Sequence, residues 1–143
     1  MNPARYKIAL RISHPNMDPE DISTQLHLSP SRKWKAGTPR TTPAGKRLAG
    51  TNRETYCVFD LDEQTSGDLV ETLSAFTKKL LAFKPFLHKI QSTGGGIEYF
   101  VGLFVKKNAG ITIDKSLMVQ LLDLGIELSL DIYDLPNPKK VTR

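Results

Sequence analysis

Arg5-Tyr6-Lys7-Ile8-Ala9-Leu10-Arg11-Ile12 sets four apolar residues (Tyr6, Ile8, Leu10 and Ile12) against Arg5, Lys7, Ala9 and Arg11. A period of two is the pattern of a strand with one buried face, and here the outer face is basic. Ile126 to Tyr133 repeats it, with Ile126, Leu128, Leu130 and Ile132 against Glu127, Ser129, Asp131 and Tyr133. A sheet covered by helices on both sides reads instead as unbroken apolar strands. These two stretches, expected at the edges of the sheet, therefore predict helices on one side only, an α+β two-layer sandwich.

The segments between them supply the remaining layers. Asp18 is a good N-cap, Pro19 suits the first helical position, and Met17 and Ile22 fit a hydrophobic staple. That helix should reach Leu26 or Leu28 and stop at Ser29-Pro30. Thr55 to Leu61, rich in β-branched and aromatic residues on both faces, reads as a central strand. Thr65 or Ser66 is expected to cap the longest helix, in which Leu69, Leu73, Phe76 and Leu80 form the inward stripe and which Pro85 ends or kinks. Gly94-Gly95-Gly96 releases a third strand, Ile97 to Val105. After a turn at Asn108-Ala109-Gly110 and a short extended piece, Ile111 to Ile113, Asp114 caps a last helix that Gly125 terminates. The expected architecture is thus a four-stranded, mostly antiparallel sheet with three helices on one face. Residues 1–134 form one domain, and 135–143 a polar, flexible tail. Two strand–helix–strand stretches share their order, and each half later carries an Asp inside an apolar strand (Phe59-Asp60-Leu61 and Leu130-Asp131-Ile132), which a degenerate duplication would explain.

Charge is distributed unevenly over the 143 residues. The formal net charge is +5. Residues 1–53 hold ten Lys and Arg against three acids, whereas residues 54–134 hold seven against twelve. Within 29–53 stand Arg32, Lys33, Lys35, Arg40, Lys46, Arg47 and Arg53, with no acid and with the only Trp, Trp34. Three Pro, three Gly and the lack of an apolar period make this a long basic loop, and loops of that length in compact domains are usually functional or disordered. Trp34 has two readings: a lid folded back on the core, or an interface anchor among cations. The charge asymmetry also allows self-association, basic loop against acidic body.

The Asp18-Pro19-Glu20-Asp21-Ile22 helix start, the Leu26-His27-Leu28-Ser29-Pro30 exit, Trp34-Lys35-Ala36-Gly37, and Leu121 to Gly125 followed by Leu130-Asp131-Ile132-Tyr133 together resemble a bacterial family known as a domain of unknown function, numbered 4279. The resemblance covers roughly residues 5–134. It implies the fold and no established activity; some members are suspected of acting as immunity or interaction proteins in bacterial conflict systems. The family's Trp early in the second strand is Tyr56 here, and its acid after the loop glycine is Thr38.

The chemical motifs point away from catalysis. His14, His27 and His88 lie too far apart for a metal site and read as satisfied surface residues. Gly94-Gly95-Gly96 opens a strand, whereas a phosphate loop opens a helix, so a flexible turn is expected. Cys57, the only cysteine, sits in an apolar strand and reads as an inert buried thiol, which suits a reducing compartment. No apolar run is long enough to span a membrane and the first residues lack a signal peptide's apolar stretch, so a cytoplasmic protein is expected. No metal or organic cofactor is expected.

The functional expectation is a small non-enzymatic binding protein, of immunity-like kind, meeting an acidic protein partner through Arg32, Lys33, Trp34, Lys35, Arg40, Lys46 and Arg47, joined by Arg11 from the first strand. Nucleic-acid binding is the alternative, since the cations could contact phosphates and Trp34 could stack on a base. An enzyme using the strand carboxylates Asp60 and Asp131 is the second alternative.

Overall fold

The structure, a computed structural model, describes residues 5–64, 68–106, 108 and 110–134. Its strands are β1 (Arg5–His14), β2 (Arg32–Trp34), β3 (Pro39–Thr41), β4 (Arg47–Thr51), β5 (Thr55–Gln64), β6 (Gly96–Val105) and β7 (Ile126–Asp134). Its helices are α1 (Pro19–Leu26), α2 (Leu69–Leu80), α3 (Lys84–Ser92) and α4 (Lys115–Leu124), with one 3₁₀ turn, Leu81–Phe83, joining α2 to α3. The α+β class agrees with the sequence, and the caps at Asp18, Asp114 and Gly125 stand where their chemistry placed them.

The sheet itself differs from the four-stranded antiparallel expectation. It has five strands in the order β2-β5-β1-β6-β7, and β3 and β4 form a separate two-stranded sheet. The main sheet is mixed, because β7 runs parallel to β6. The physical reason is the connection: α4 carries the chain back along the sheet before β7 begins, and such a crossover yields a parallel neighbour where a tight hairpin would yield an antiparallel one. β1 is the central strand rather than an edge, flanked by β5 and β6. Its basic outer face survives at the centre because no helix among the described residues covers that side.

The basic stretch is also not an unstructured loop. It contributes β2 to the edge of the main sheet, paired with β5 through Arg32↔Val58 and Trp34↔Tyr56, and then the β3–β4 hairpin. Backbone bonds from Gly37 to Asn52 and from Asn52 to Thr38 close the base of that hairpin. Such pairing is long-range and satisfies main-chain groups without any side-chain periodicity. The long helix is capped by Asp68, whose carboxylate accepts from Val70 and Glu71 N–H. The expected caps Thr65 and Ser66 lie outside the described residues, as do the tail 135–143 and part of the turn at Asn108-Ala109-Gly110. Pro85 falls in the first turn of α3, where a missing N–H costs nothing, so it starts a helix instead of ending one. Ile111 to Ile113 pairs with no strand.

The two strand–helix–strand stretches correspond in order only. β5, which carries Asp60, pairs antiparallel with β1, whereas β7, which carries Asp131, pairs parallel with β6.

One core lies between the sheet and the helices. From the strands it takes Tyr6, Ile8, Leu10 and Ile12, Cys57 and Phe59, Ile97, Tyr99, Val101 and Leu103, and Ile126; from the helices, residues such as Ile22, Leu73, Leu87, Ile90 and Leu117. All four helices bury their stripes against this one face. Gly95 lets β6 enter the layer: a Cβ there would lie 2.6 Å from the Ser13 carbonyl oxygen. The glycine run is therefore a closely packed turn, tighter than the flexible one expected. His14, expected at the surface, is buried at 3% exposure. Its Nδ1 accepts from Asn16 and Met17 N–H, which fixes the proton on Nε2 for donation to Thr93 Oγ1 at 2.7 Å. Burial lowers its pKa.

Candidate functional site

The face of the sheet away from the helices is uncovered among the described residues, and strand register dictates what it displays. Directly paired residues point to the same side, so Arg32, Val58, Arg11, Glu98 and Glu127 form one row across β2, β5, β1, β6 and β7. The next row holds Trp34, Tyr56, Ser13 and Gly96. Aromatic rings and guanidinium groups interleave on it. The Arg11 guanidinium lies 3.6 Å from the Phe100 ring centroid, that of Arg5 5.0 Å from Phe104, and that of Arg32 4.9 Å from Trp34. Phe104 stacks on Tyr133 at 5.1 Å, and Trp34 packs against Tyr56 at 4.8 Å. Trp34 is half-buried by this contact on the open side, so it is not a lid on the core.

Two clefts are cut into this region. The first, of about 570 Å³, is lined among others by Lys7, Arg11, Asp60, Phe100, Phe104 and Tyr133. Arg11 is held at its wall by Phe100 and by Glu98, which also accepts from Ser129 Oγ at 2.7 Å. Arg11 Nε is buried without a hydrogen-bond partner among the described residues. The second cleft, of about 650 Å³, lies between the main sheet and the hairpin and is lined by Trp34, Arg40, Gly50, Thr51, Asn52, Arg53 and Glu54. Arg40 is positioned there by Nη1 donating to the Ala49 carbonyl at 3.1 Å. An indole face and two guanidinium groups against one carboxylate suit an acidic or planar anionic group.

The structure sorts the residues singled out in the sequence. Arg11, Arg32 and Trp34 share the open face, and Arg40 meets Trp34 across the second cleft. Lys33 and Lys35 lie elsewhere: Lys33 pairs with Cys57 in register, so it points to the helix side and forms an ion pair with Glu20, which raises its pKa. Lys35 lies 3.6 Å from Asp18. Both pin β2 to α1. Lys46 and Arg47 are exposed at the hairpin tip. Asp60 and Asp131 are both on the open face but separated by β1 and β6, three strand spacings or about 14 Å, too far to work as a carboxylate pair. The Tyr133 hydroxyl donates to Asp131, which raises the Tyr133 pKa. Cys57 is fully buried, and that burial pushes its thiol up to about 11. Among the described residues no cluster of His, Cys, Asp or Glu could hold a metal ion, and no helix is long and apolar enough to cross a membrane.

Phe100, Phe104, Tyr133 and Val58 join the open face without having been singled out in the sequence. The signal was present in β6, where Phe100 and Phe104 alternate with the buried Ile97, Tyr99, Val101 and Leu103. A strand apolar on both faces beside a strand with a basic face must show its second face to something other than the core.

A family profile described as Domain of unknown function (DUF4279) matches residues 4–135. No curated protein matches the chain, and no solved structure does.

Proposed function

The chain belongs to the DUF4279 family, a domain of unknown function, and from its surface we propose that it is a small, non-enzymatic cytoplasmic binding protein for an acidic protein partner, of the kind that serves immunity or interaction roles in bacteria. The observation that carries this reading is the convergence of Trp34, Arg40 and Arg53 around one cleft, with Arg32 stacked on the same indole. Desolvating a Trp that is already flanked by guanidinium groups gives an anchor, and the cations steer an acidic partner towards it.

Nucleic acid is the second reading, favoured by the aromatic rings on an open sheet, the device used by single-strand binders. Weighing against it, Asp60, Glu98, Glu127 and Asp131 are spread over the same face and would repel a phosphate backbone lying across it. Capture experiments from the native host separate the two. A protein retained by the wild type and lost on Trp34→Ala together with Arg40→Glu and Arg53→Glu supports the protein reading. Retention on an oligonucleotide column that falls steeply between low and moderate salt supports nucleic acid. Unchanged capture by the folded triple variant refutes the cleft as the site.

A further inference from the structure

Of the eight large apolar residues exposed among the described residues, six lie on α4 and β7: Met118, Val119, Leu122, Leu130, Ile132 and Tyr133. Leu122 is 82% exposed and Ile132 64%. β7 is also the outermost strand of the sheet, nine residues long and paired only with β6 among the described residues. A long apolar edge of this kind is an aggregation hazard unless something pairs with it. From its sequence we infer that the partner is a second copy of this chain, joined through antiparallel β7–β7 pairing about a two-fold axis at Leu130.

The register argument is specific. In an isologous antiparallel pair the two-fold axis stands perpendicular to the sheet, so open-face residues must oppose open-face residues. Centring the axis on Leu130 uses the whole of β7, Ile126 opposite Asp134. On the open face it sets Asp131 opposite Ser129 and Glu127 opposite Tyr133, each acid against a hydroxyl. On the helix side it sets Leu128 against Ile132 and Leu130 against its own copy. Moving the axis to Ser129 places Glu127 against Asp131, and moving it to Asp131 places that acid against itself. Like charges directly opposite one another destabilise a pair, so both neighbouring registers are disfavoured. The self-complementary arrangement makes a ten-stranded sheet and leaves the β2 edge, with the Trp34 cleft, at its two far ends. It is independent of the binding reading above.

Sedimentation equilibrium of the full chain at tens of micromolar tests this. The expected mass is twice the 16.0 kDa of one chain, and Leu130→Lys, at an exposed site that tolerates a charge, should reduce it to one. Mild oxidation adds a register readout. Leu130→Cys should cross-link to its own copy. Ile132→Cys should not, because its copy stands four residues away along the pair, about 13 Å and outside disulfide reach. The natural Cys57 is fully buried and does not interfere. A wild-type monomer, a dimer that survives Leu130→Lys, or equal cross-linking at both positions overturns the proposal.

Discussion

A polar pair sealed between a helix and the sheet gives a sharp test of how the layers are joined. Thr77 on α2 and Tyr99 on β6 are both 0% exposed, and their oxygens lie 3.0 Å apart. Thr77 Oγ1 already donates to the Leu73 carbonyl at 2.7 Å, so the Tyr99 hydroxyl is the donor between them. Thr77→Val keeps the side chain's shape and removes the acceptor, leaving a buried phenol unsatisfied, at a cost of about 2 kcal/mol. Tyr99→Phe removes the donor but leaves Thr77 bonded to Leu73, and should cost about 1 kcal/mol. With both changes no unsatisfied donor remains, so the double variant should lose about 1 kcal/mol, where additivity would give about 3 kcal/mol. At roughly 2.1 cal/mol/K per residue, unfolding a chain of 143 residues carries about 0.3 kcal/mol/K, so 1 kcal/mol is about 3 °C in Tm. The expected shifts are thus about −6 °C, −3 °C and −3 °C by calorimetry. Because burial pushes the Tyr99 hydroxyl up to about 12 while the unfolded tyrosine ionises near its ordinary value of 10, they should not change between neutral pH and about pH 9, and above that wild type should lose stability that Tyr99→Phe keeps. A double variant as unstable as the sum of the singles would refute the assignment of donor and acceptor and the satisfied state of the pair.

Two further perturbations test the turns that hold the layers. His14 is held neutral, with its pKa lowered by burial, so the unfolded chain takes up a proton first as pH falls through the ordinary value of 6.5. Stability should therefore fall from about pH 7 to pH 5, with His14→Gln showing a flatter profile by urea unfolding; an equally steep profile in the variant contradicts this role. Gly125→Ala should cost more than about 2 kcal/mol, because φ there is +70° and the new Cβ would lie 1.7 Å from Gln91 Oε1. Its displacement would break the Gln91 Nε2 bonds to the Leu87 and Leu124 carbonyls, and a variant within 0.5 kcal/mol of wild type, roughly the scatter of neutral surface changes, would show the helix end to be looser than described.

Local chemistry was legible in the residues and strand partnership was not. Asp18, Asp114 and Gly125 announce helix ends because a cap is decided within four residues. The alternation in Arg5–Ile12 fixed which side of β1 is buried and therefore the one-sided layering, whereas in Ile126–Tyr133 the same alternation is buried only at Ile126 and half-buried at Leu128, with Leu130 and Ile132 exposed. Whether β7 runs parallel or antiparallel depends on where α4 delivers the chain, and no residue inside β7 carries that information. The basic stretch misled for a related reason. β2 is three residues long, and its membership of the sheet rests on Arg32–Trp34 meeting Tyr56–Val58, more than twenty positions away. The same pairing split the candidate site, turning Arg32 and Trp34 outward while Lys33 faces α1. Glu20 and Asp18, which bind Lys33 and Lys35, were visible in the sequence as a helix start only.

Trp34 is the sole tryptophan and sits at the mouth of the proposed site, so its fluorescence is a direct reporter. The measurement that bears most directly on the binding reading is a titration of the folded full chain with poly-glutamate, beside a single-stranded oligonucleotide of matched charge, at low and moderate salt. The account predicts a saturable change in Trp34 emission with the acidic polypeptide that weakens at least tenfold in Arg40→Glu/Arg53→Glu, the loss expected when about 1.4 kcal/mol of contact is removed. An emission spectrum indifferent to the polypeptide, or a response that the double variant retains in full, would contradict it.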